Sequence, residues 1–147
     1  MEMTGEQLIS ASQAATWDAL NNPDILKDCI PGCESITRVA DNEYDLVMTA
    51  KVGPVSAKFK GKMTVSQADP PRAYTLSFEG QGGVAGFAKG EASVALAPEN
   101  GATRLTYSAK ATVGGKLAQI GARLIDGVAT QLAGKFFEAF NRRVSGG

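Results

Sequence analysis

The longest strict alternation in the sequence is VSAKFKGKMTVSQ, at residues 55–67. Odd positions from 55 to 65 carry apolar or small residues, whereas even positions from 56 to 66 carry lysine, serine or threonine. Successive side chains of a β-strand point to opposite faces, so this period of two predicts a strand with one face in the core and one in water. The inward face includes Phe59 and Met63, two bulky candidates for an interior site.

The same alternation continues on both sides of this strand, through residues 34–113. Turn-forming residues interrupt it five times, at residues 41–42, 53–54, 69–71, 81–83 and 99–101. These interruptions separate six strands, and a further strand is expected around residues 6–10. The sequence therefore predicts a seven-stranded antiparallel sheet that is half-buried and wide enough to curve around an element laid across it.

Helical periodicity appears towards both ends of the chain. Residues 13–20 follow serine N-caps and carry Ala14, Trp17 and Leu20 on one predicted buried stripe, and Pro23 opens a second short helix that runs to Leu26. Residues 116–144 lack proline and predict one long amphipathic helix. Its stripe consists of Leu117, Gly121, Leu124, Val128, Leu132, Phe136 and Phe140. Together these patterns predict an α+β fold, in a single domain over residues 1–147.

Small residues share the inward faces of the strands with large ones. They are Ala50, Ala57, Gly61, Gly80, Ala88, Gly90, Ala92, Ala109 and Ala111. Such residues either let the helix pack closely on the sheet or leave an apolar cavity between the two, and we expect the cavity. The predicted ligand-binding residues are Phe59, Met63, Tyr74, Leu76, Phe78 and Tyr107 on the sheet and Ile120, Leu124, Val128 and Leu132 on the helix.

The composition excludes several classes of function. The formal net charge is zero, so the basic excess typical of nucleic-acid binding is missing. The chain has no histidine, which excludes Ser-His-Asp and Cys-His nucleophiles and imidazole metal ligands. Cys29 and Cys33 alone do not complete a zinc site, and we expect reduced thiols beside a turn, with a redox pair as the alternative. No catalytic residue, metal site or cofactor is therefore predicted, although an enzyme is unsupported rather than excluded.

Three further features bear on location and surface contacts. The N-terminal residues are acidic and no apolar run approaches the length of a bilayer span, so we expect a cytoplasmic protein. Lys58, Lys60 and Lys62 form a basic stripe, which is either a docking surface for an acidic partner or a solvated face. The glycine-rich residues 80–86 lack the context of a phosphate loop and predict a flexible turn at the cavity mouth, with Val84 and Phe87 as exposed apolar contacts.

An ordered set of short segments resembles the G-subunit family of carbon monoxide dehydrogenase. This family is a branch of the SRPBCC superfamily, which includes lipid-transfer START domains and the birch pollen allergen. The resemblance covers nearly the whole chain. It rests on residues 3–6 (MTGE), 17–23 (WDALNNP), 29–34 (CIPGCE), 51–55 (KVGPV), 59–61 (FKG), 103–107 (TRLTY) and 114–121 (GGKLAQIG).

The resemblance implies a helix-grip fold and a role as an accessory protein to a molybdenum hydroxylase of the carbon monoxide dehydrogenase type. A dehydrogenase must pass its electrons on, so an apolar cavity suggests the binding of a quinone or another lipid. Peripheral contact with the inner face of the membrane is a further expectation. Two alternatives remain open at this point: an assembly or recruitment factor that binds no ligand, and a cavity enzyme of the aromatic cyclase type.

Overall fold

The computed structural model describes residues 1–145, so the last two residues of the predicted domain lie outside the described part. A seven-stranded antiparallel sheet has the strand order β1-β7-β6-β5-β4-β3-β2. Its strands are β1 (Glu2–Ile9), β2 (Cys33–Ala40), β3 (Glu43–Val52), β4 (Val55–Asp69), β5 (Ala73–Gln81), β6 (Phe87–Glu99) and β7 (Ala102–Gly114). All five turn signals fall at the junctions between these strands, which confirms the predicted meander.

The first strand is longer than its sequence suggests. It begins at Glu2 rather than near residue 6, and it pairs with β7 from Glu2 opposite Lys110 to Ile9 opposite Thr103. Residues 2–5 do not form a strong alternating pattern, so their strand conformation depends on this pairing with a distant part of the chain. The backbone of β7 therefore decides where β1 begins.

Two short helices, α1 (Gln13–Leu20) and α2 (Pro23–Cys29), connect β1 to β2. The bounds of α1 match the prediction, and the Ser12 hydroxyl caps it by accepting a hydrogen bond from the Ala15 amide at 3.1 Å. Helix α2 runs three residues beyond the predicted end. The predicted buried stripe of α1 was partly wrong. Ala14 is exposed and Trp17 is half-buried, because α1 turns the neighbouring residues Thr16 and Ala19 into the core instead.

The predicted single C-terminal helix is broken. A short helix, α3 (Lys116–Gln119), precedes the long helix α4 (Ala122–Ser145). The break lies at Gly121, whose φ of 105° belongs to the left-handed region that glycine adopts readily. In the first turn of α4, Ile125 is 9% exposed whereas Leu124 is 44% exposed. The predicted inward orientation of Leu124 was therefore wrong. Val128 and Leu132 of the predicted stripe do face the sheet.

Two clusters of buried side chains hold α4 on the sheet. The larger cluster includes Ile9, Leu105 and Phe140, all 1% exposed or less, and it lies towards the C-terminal end of α4. The smaller cluster contains Val52, Leu117 and Ile125. Ile125 and Phe140 lie roughly 22 Å apart along the helix. The space between the two clusters is where the inner face of the sheet, meaning the face towards α4, remains incompletely filled.

Candidate functional site

Two adjoining cavities lie between the inner face of the sheet and α4. One has a volume of about 400 Å³ and is lined by the three tyrosines Tyr44, Tyr74 and Tyr107 among many apolar residues; we call it the tyrosine cavity. The other has a volume of about 300 Å³ and is lined by Val52, Val113 and Val128; we call it the valine cavity. Both have almost wholly apolar walls, so they favour the burial of apolar ligand surface.

The two cavities share one wall and form neighbouring lobes of one space. The residues that line both are Met1, Met48, Phe78, Ala129 and Leu132. The first of them is fixed by the sheet, since the Met1 ammonium donates to the Ala111 carbonyl at 2.9 Å and the Ala111 amide donates to the Met1 carbonyl at 2.8 Å. An elongated ligand could therefore extend from one lobe into the other, past Ala129 on the helix side.

Most of the predicted ligand-binding residues are brought together around this space. Met63, Tyr74, Leu76 and Tyr107 line the tyrosine cavity, Phe59 and Val128 line the valine cavity, and Phe78 and Leu132 line both. Their role in binding stays a prediction. Ile120 and Leu124 line neither cavity. Both lie over the β3–β4 turn instead, where a Cβ atom added to Gly53 would be 2.9 Å from Leu124 Cδ2 and 3.7 Å from Ile120 Cγ2.

Sequence reasoning missed part of the helical wall. Ile125, Ala129, Ala133 and Phe137 line the cavities although they are not on the predicted stripe. Phe136 was on that stripe but was not among the predicted ligand-binding residues, and it lines the tyrosine cavity. Counted from Ile125, the lining residues recur at intervals of three and four residues, which is the ordinary period of a straight amphipathic helix. That signal was hidden because the predicted stripe followed residues four apart, which cover only one edge of this wider face.

The small inward-facing residues leave space rather than closing it. All of those named above except Ala57 and Gly90 line one of the two cavities. Gly61 and Gly80 lie opposite each other on β4 and β5, yet their surroundings differ. A Cβ atom at Gly61 would lie 2.6 Å from the Glu79 carbonyl oxygen, whereas one at Gly80 would meet no atom within 4 Å. Gly61 thus permits close strand packing, while Gly80 leaves part of the valine cavity empty.

Few polar side chains line the space. They are the three tyrosines of the tyrosine cavity and Glu79, a residue of the outward parity of β5, at the valine cavity. The Tyr44 hydroxyl is engaged elsewhere, because it accepts from the Arg38 guanidinium at 3.0 Å and donates to the Asn21 carbonyl at 3.4 Å. Tyr74 is 7% exposed and packs edge-to-face against Trp17, with ring centroids 5.4 Å apart. Burial, reinforced by nearby Tyr44, raises the pKa of Tyr74 well above its ordinary value.

The remaining sequence candidates lie outside the cavity walls. Cys29 is 3% exposed and Cys33 is half-buried; both thiols are free, and burial is the main reason that the pKa of each is raised. Raised thiol pKa values disfavour the reactive thiolate, so their expected inertness stays a prediction. Throughout residues 1–145, no cluster of three or more candidate metal-ligating cysteine or carboxylate side chains occurs.

The basic stripe on β4 has acidic neighbours. Lys62 lies opposite Asp45 on β3 and opposite Glu79 on β5, and the Lys58 ammonium lies 3.5 Å from the Glu34 carboxylate. This interleaving reduces the local positive charge, and such exposed pairs contribute little to stability. The mixture of charges favours the interpretation of the stripe as a solvated face over that of a docking surface for an acidic partner.

The turn between β5 and β6 exposes one apolar side chain, while a second that was predicted to be exposed is half-buried. Val84, in the 3-10 turn Gly83–Ala85, is 85% exposed, as its predicted surface contact requires. Phe87 was expected to be exposed as well, but it is half-buried because its ring packs over Gly114. Among the helices within residues 1–145, none is both long and apolar enough to cross a membrane.

Comparison with known proteins identifies a family and solved structures that are similar to this chain. The family model described as the G subunit of carbon monoxide dehydrogenase (CoxG) matches residues 5–145 of this chain. A conserved protein from Geobacillus kaustophilus, known from its crystal structure, is 32% identical, and the match covers 99% of this chain and 95% of that chain with a TM-score of 0.93. No curated protein matches the sequence.

More distant solved structures share the fold alone. The protein TTHA0849 from Thermus thermophilus is 15% identical, with 98% of this chain and 97% of that chain covered and a TM-score of 0.73. The Zhui aromatase/cyclase from Streptomyces sp. R1128 is 11% identical, with 98% and 93% covered and a TM-score of 0.66. The predicted helix-grip architecture is thereby confirmed.

Proposed function

Because the chain belongs to the G-subunit (CoxG) family of carbon monoxide dehydrogenase, we propose that it is a non-catalytic accessory protein of a carbon monoxide dehydrogenase-type molybdenum hydroxylase. In this proposal it binds an apolar small molecule in the joined tyrosine and valine cavities. The observation that carries the proposal is the pair of adjoining apolar cavities, of about 400 and 300 Å³, held open between the sheet and α4.

Unfilled apolar volume between a sheet and a helix lowers the stability of a fold. Protein interiors usually pack to high density, and each unfilled volume forfeits dispersion contacts between its walls. Here Gly80 and several alanines hold large side chains away from the centre of the inner face. A ligand that fills the space would restore those contacts and remove its own apolar surface from water.

The chemistry of the partner enzyme suggests what the ligand is. A molybdenum hydroxylase that oxidises its substrate must pass electrons to an acceptor, and an isoprenoid quinone is an acceptor that needs shielding from water. We propose a quinone, or another lipid of similar shape, as the ligand. The protein would carry this molecule in the cytoplasm and contact the inner face of the membrane.

The two alternatives differ from this proposal in what they need from the cavity. An assembly or recruitment factor needs no ligand, so its fold gains nothing from unfilled volume. An enzyme of the aromatic cyclase type needs polar groups that converge on a reacting atom. The aromatase/cyclase neighbour is related through the fold only, at 11% identity.

The proposal is tested on the full chain purified without detergent. Organic extracts analysed by mass spectrometry are expected to contain a quinone or lipid in stoichiometric amount, and the stripped protein is expected to bind the hydrocarbon fluorophore diphenylhexatriene with micromolar affinity. A protein that carries nothing and binds no apolar probe would instead support the assembly factor. Turnover of a polyketide-like substrate would support the cyclase.

A further inference from the structure

Tyr74 combines an unengaged hydroxyl with a deeply buried position. Within residues 1–145, no side chain or backbone group forms a hydrogen bond with the Tyr74 hydroxyl, although the residue is only 7% exposed. No fully enclosed side-chain oxygen or nitrogen of the described chain lacks a partner. The Tyr74 oxygen is therefore not sealed among apolar atoms. Tyr74 lines the tyrosine cavity, and we take that cavity as the space that its hydroxyl reaches.

An unengaged hydroxyl in an apolar interior normally finds a partner. Leaving a polar group without a hydrogen bond costs free energy, and buried tyrosine hydroxyls usually have one. Tyr44 follows this rule through Arg38 and Asn21, but no group of the described chain does the same for Tyr74. A ligand that displaces water from the cavity must replace the hydrogen bond that water made there. A ligand that fills the cavity must therefore supply the hydrogen-bond partner of the Tyr74 hydroxyl.

The residues that line the cavities indicate which polar group of the ligand can pair with Tyr74. Within the described residues, no lysine or arginine side chain lines either cavity, and the ammonium of the lining residue Met1 donates to the Ala111 carbonyl on β7. A carboxylate or phosphate placed beside Tyr74 on β5 would therefore be buried without a neighbouring lysine or arginine as countercharge. Tyr74 is a neutral phenol at neutral pH, as tyrosine ordinarily is, and burial raises its pKa further. A neutral phenol donates well to a neutral carbonyl oxygen.

We propose that Tyr74 positions the ligand by donating a hydrogen bond to a neutral carbonyl oxygen, while the apolar remainder of the ligand extends past Ala129 into the valine cavity. The inference rests on the proposed function, since it assigns an orientation to the same ligand. Tyr74 lines the tyrosine cavity and Gly80 lines the valine cavity. Both residues lie on β5, about 20 Å apart along the strand. An amphiphile with one carbonyl-bearing head beside Tyr74 and a long apolar tail therefore matches the space.

Tyr107 provides a comparison on the same wall. It lies two strands away from Tyr74, with Val94 between them in the register. Its ring stacks on Phe137, with centroids 5.4 Å apart, and its hydroxyl reaches over Gly5 on β1, where an added Cβ atom would lie 2.6 Å from the Tyr107 oxygen. Tyr107 is only half-buried and its hydroxyl is directed to the edge of the sheet. We therefore expect it to contribute less to carbonyl recognition.

The test compares Tyr74→Phe with Tyr107→Phe in the full chain, using three probes. Decylubiquinone carries carbonyl groups and a tail, diphenylhexatriene is a hydrocarbon, and dodecanoate carries an ionised head. Tyr74→Phe is expected to weaken decylubiquinone binding about fivefold, in keeping with one neutral hydrogen bond, and to leave diphenylhexatriene binding unchanged. Tyr107→Phe is expected to give a smaller loss for decylubiquinone, and dodecanoate should bind more weakly than decylubiquinone throughout.

A second measurement separates positioning from a structural role. Because the Tyr74 hydroxyl has no partner among residues 1–145, Tyr74→Phe should leave the thermal midpoint of the stripped protein unchanged or raise it, whereas loss of a structural hydroxyl would lower it. Equal losses for decylubiquinone and diphenylhexatriene, equal effects of the two tyrosine variants, or tight dodecanoate binding would each overturn the inference while leaving the carrier proposal intact. Failure of the wild type to bind any of the three probes would overturn both.

Discussion

Ala129→Trp should close the passage between the two cavities. Ala129 lies on the face of α4 that lines both cavities, opposite Met48 and Phe78 of the sheet. A tryptophan there would occupy the volume through which an elongated ligand passes. We expect the fold to persist, since overpacking of this kind typically costs about 1–3 kcal/mol and the new side chain recovers part of this by its own burial.

The size of the effect follows from the apolar area at stake. A ligand that buries roughly 400 Å² of apolar surface gains about 10 kcal/mol, of which about 4 kcal/mol is lost to ordering, leaving a dissociation constant in the tens of micromolar. A buried tryptophan occupies about 200 Å² of contact surface, so its presence should remove about 5 kcal/mol of the gain. The expected dissociation constant of the variant then exceeds the millimolar range.

Titration of the stripped protein with diphenylhexatriene and decylubiquinone measures the effect, and circular dichroism with thermal melting verifies the fold. Thr130→Trp is the matched control, because Thr130 is exposed on the same helix, where its hydroxyl donates to the Asp126 carbonyl at 2.9 Å. It should bind both probes as the wild type does. Undiminished binding by a folded Ala129→Trp protein would refute the placement of the ligand, as would equal loss in the control.

Three further predictions concern the surroundings of the cavity. Leu124→Trp should keep probe binding within about twofold of the wild type by titration, because Leu124 is 44% exposed and lines neither cavity. A strong loss of probe affinity would instead show that Leu124 belongs to the binding site. The raised pKa of Tyr74 means that the unfolded chain loses this proton first, so the free energy of unfolding should fall above about pH 10 by about 1.4 kcal/mol per pH unit. Urea titrations at successive alkaline pH values should show a shallower fall for Tyr74→Phe, and parallel curves would contradict the burial of the hydroxyl. Gly61→Ala should lose about 1–3 kcal/mol in urea denaturation because its Cβ would meet the Glu79 carbonyl, whereas Gly80→Ala should be neutral or stabilising; equal effects would argue against the empty space beside Gly80.

Several elements of the fold could be predicted from the sequence because their causes are local. The alternation in residues 55–67 and the five turn signals correspond to β4 and to the junctions of the meander. Helix α1 has the predicted bounds because Ser12 supplies its cap and Asn22 and Pro23 prevent its continuation. Each of these signals acts over a few residues, so neighbouring sequence suffices to determine it.

The candidate site also depends on how α4 is oriented against the sheet, which the sequence pattern does not give. The odd or even position of each residue along its strand placed Phe59, Tyr74 and the other sheet residues correctly on the inner face. Side chains of a strand alternate between the two faces of a sheet wherever the strand lies. Ile120 was misplaced because the break at Gly121 separates it from α4. Leu124 was misplaced because residues four apart advance by about 40° around a helix, so Leu124 lies about 80° around α4 from Leu132. A helical pattern gives the relative positions of side chains on one helix but not the direction in which that helix is turned.

The linear pattern of residues was enough to predict the number of strands, the turns, the amphipathic character of the last helix and the apolar nature of the inner face. Only the tertiary structure decided that this face encloses two joined cavities, that Ala129 lies at their junction, and that the Tyr74 hydroxyl has no partner within the described chain. The physical reason is the range of the interactions. Periodicity and capping act within one element, whereas an unfilled volume and an unengaged hydroxyl depend on the distance between residues of β5 and α4, which lie far apart in the chain and meet only once it has folded.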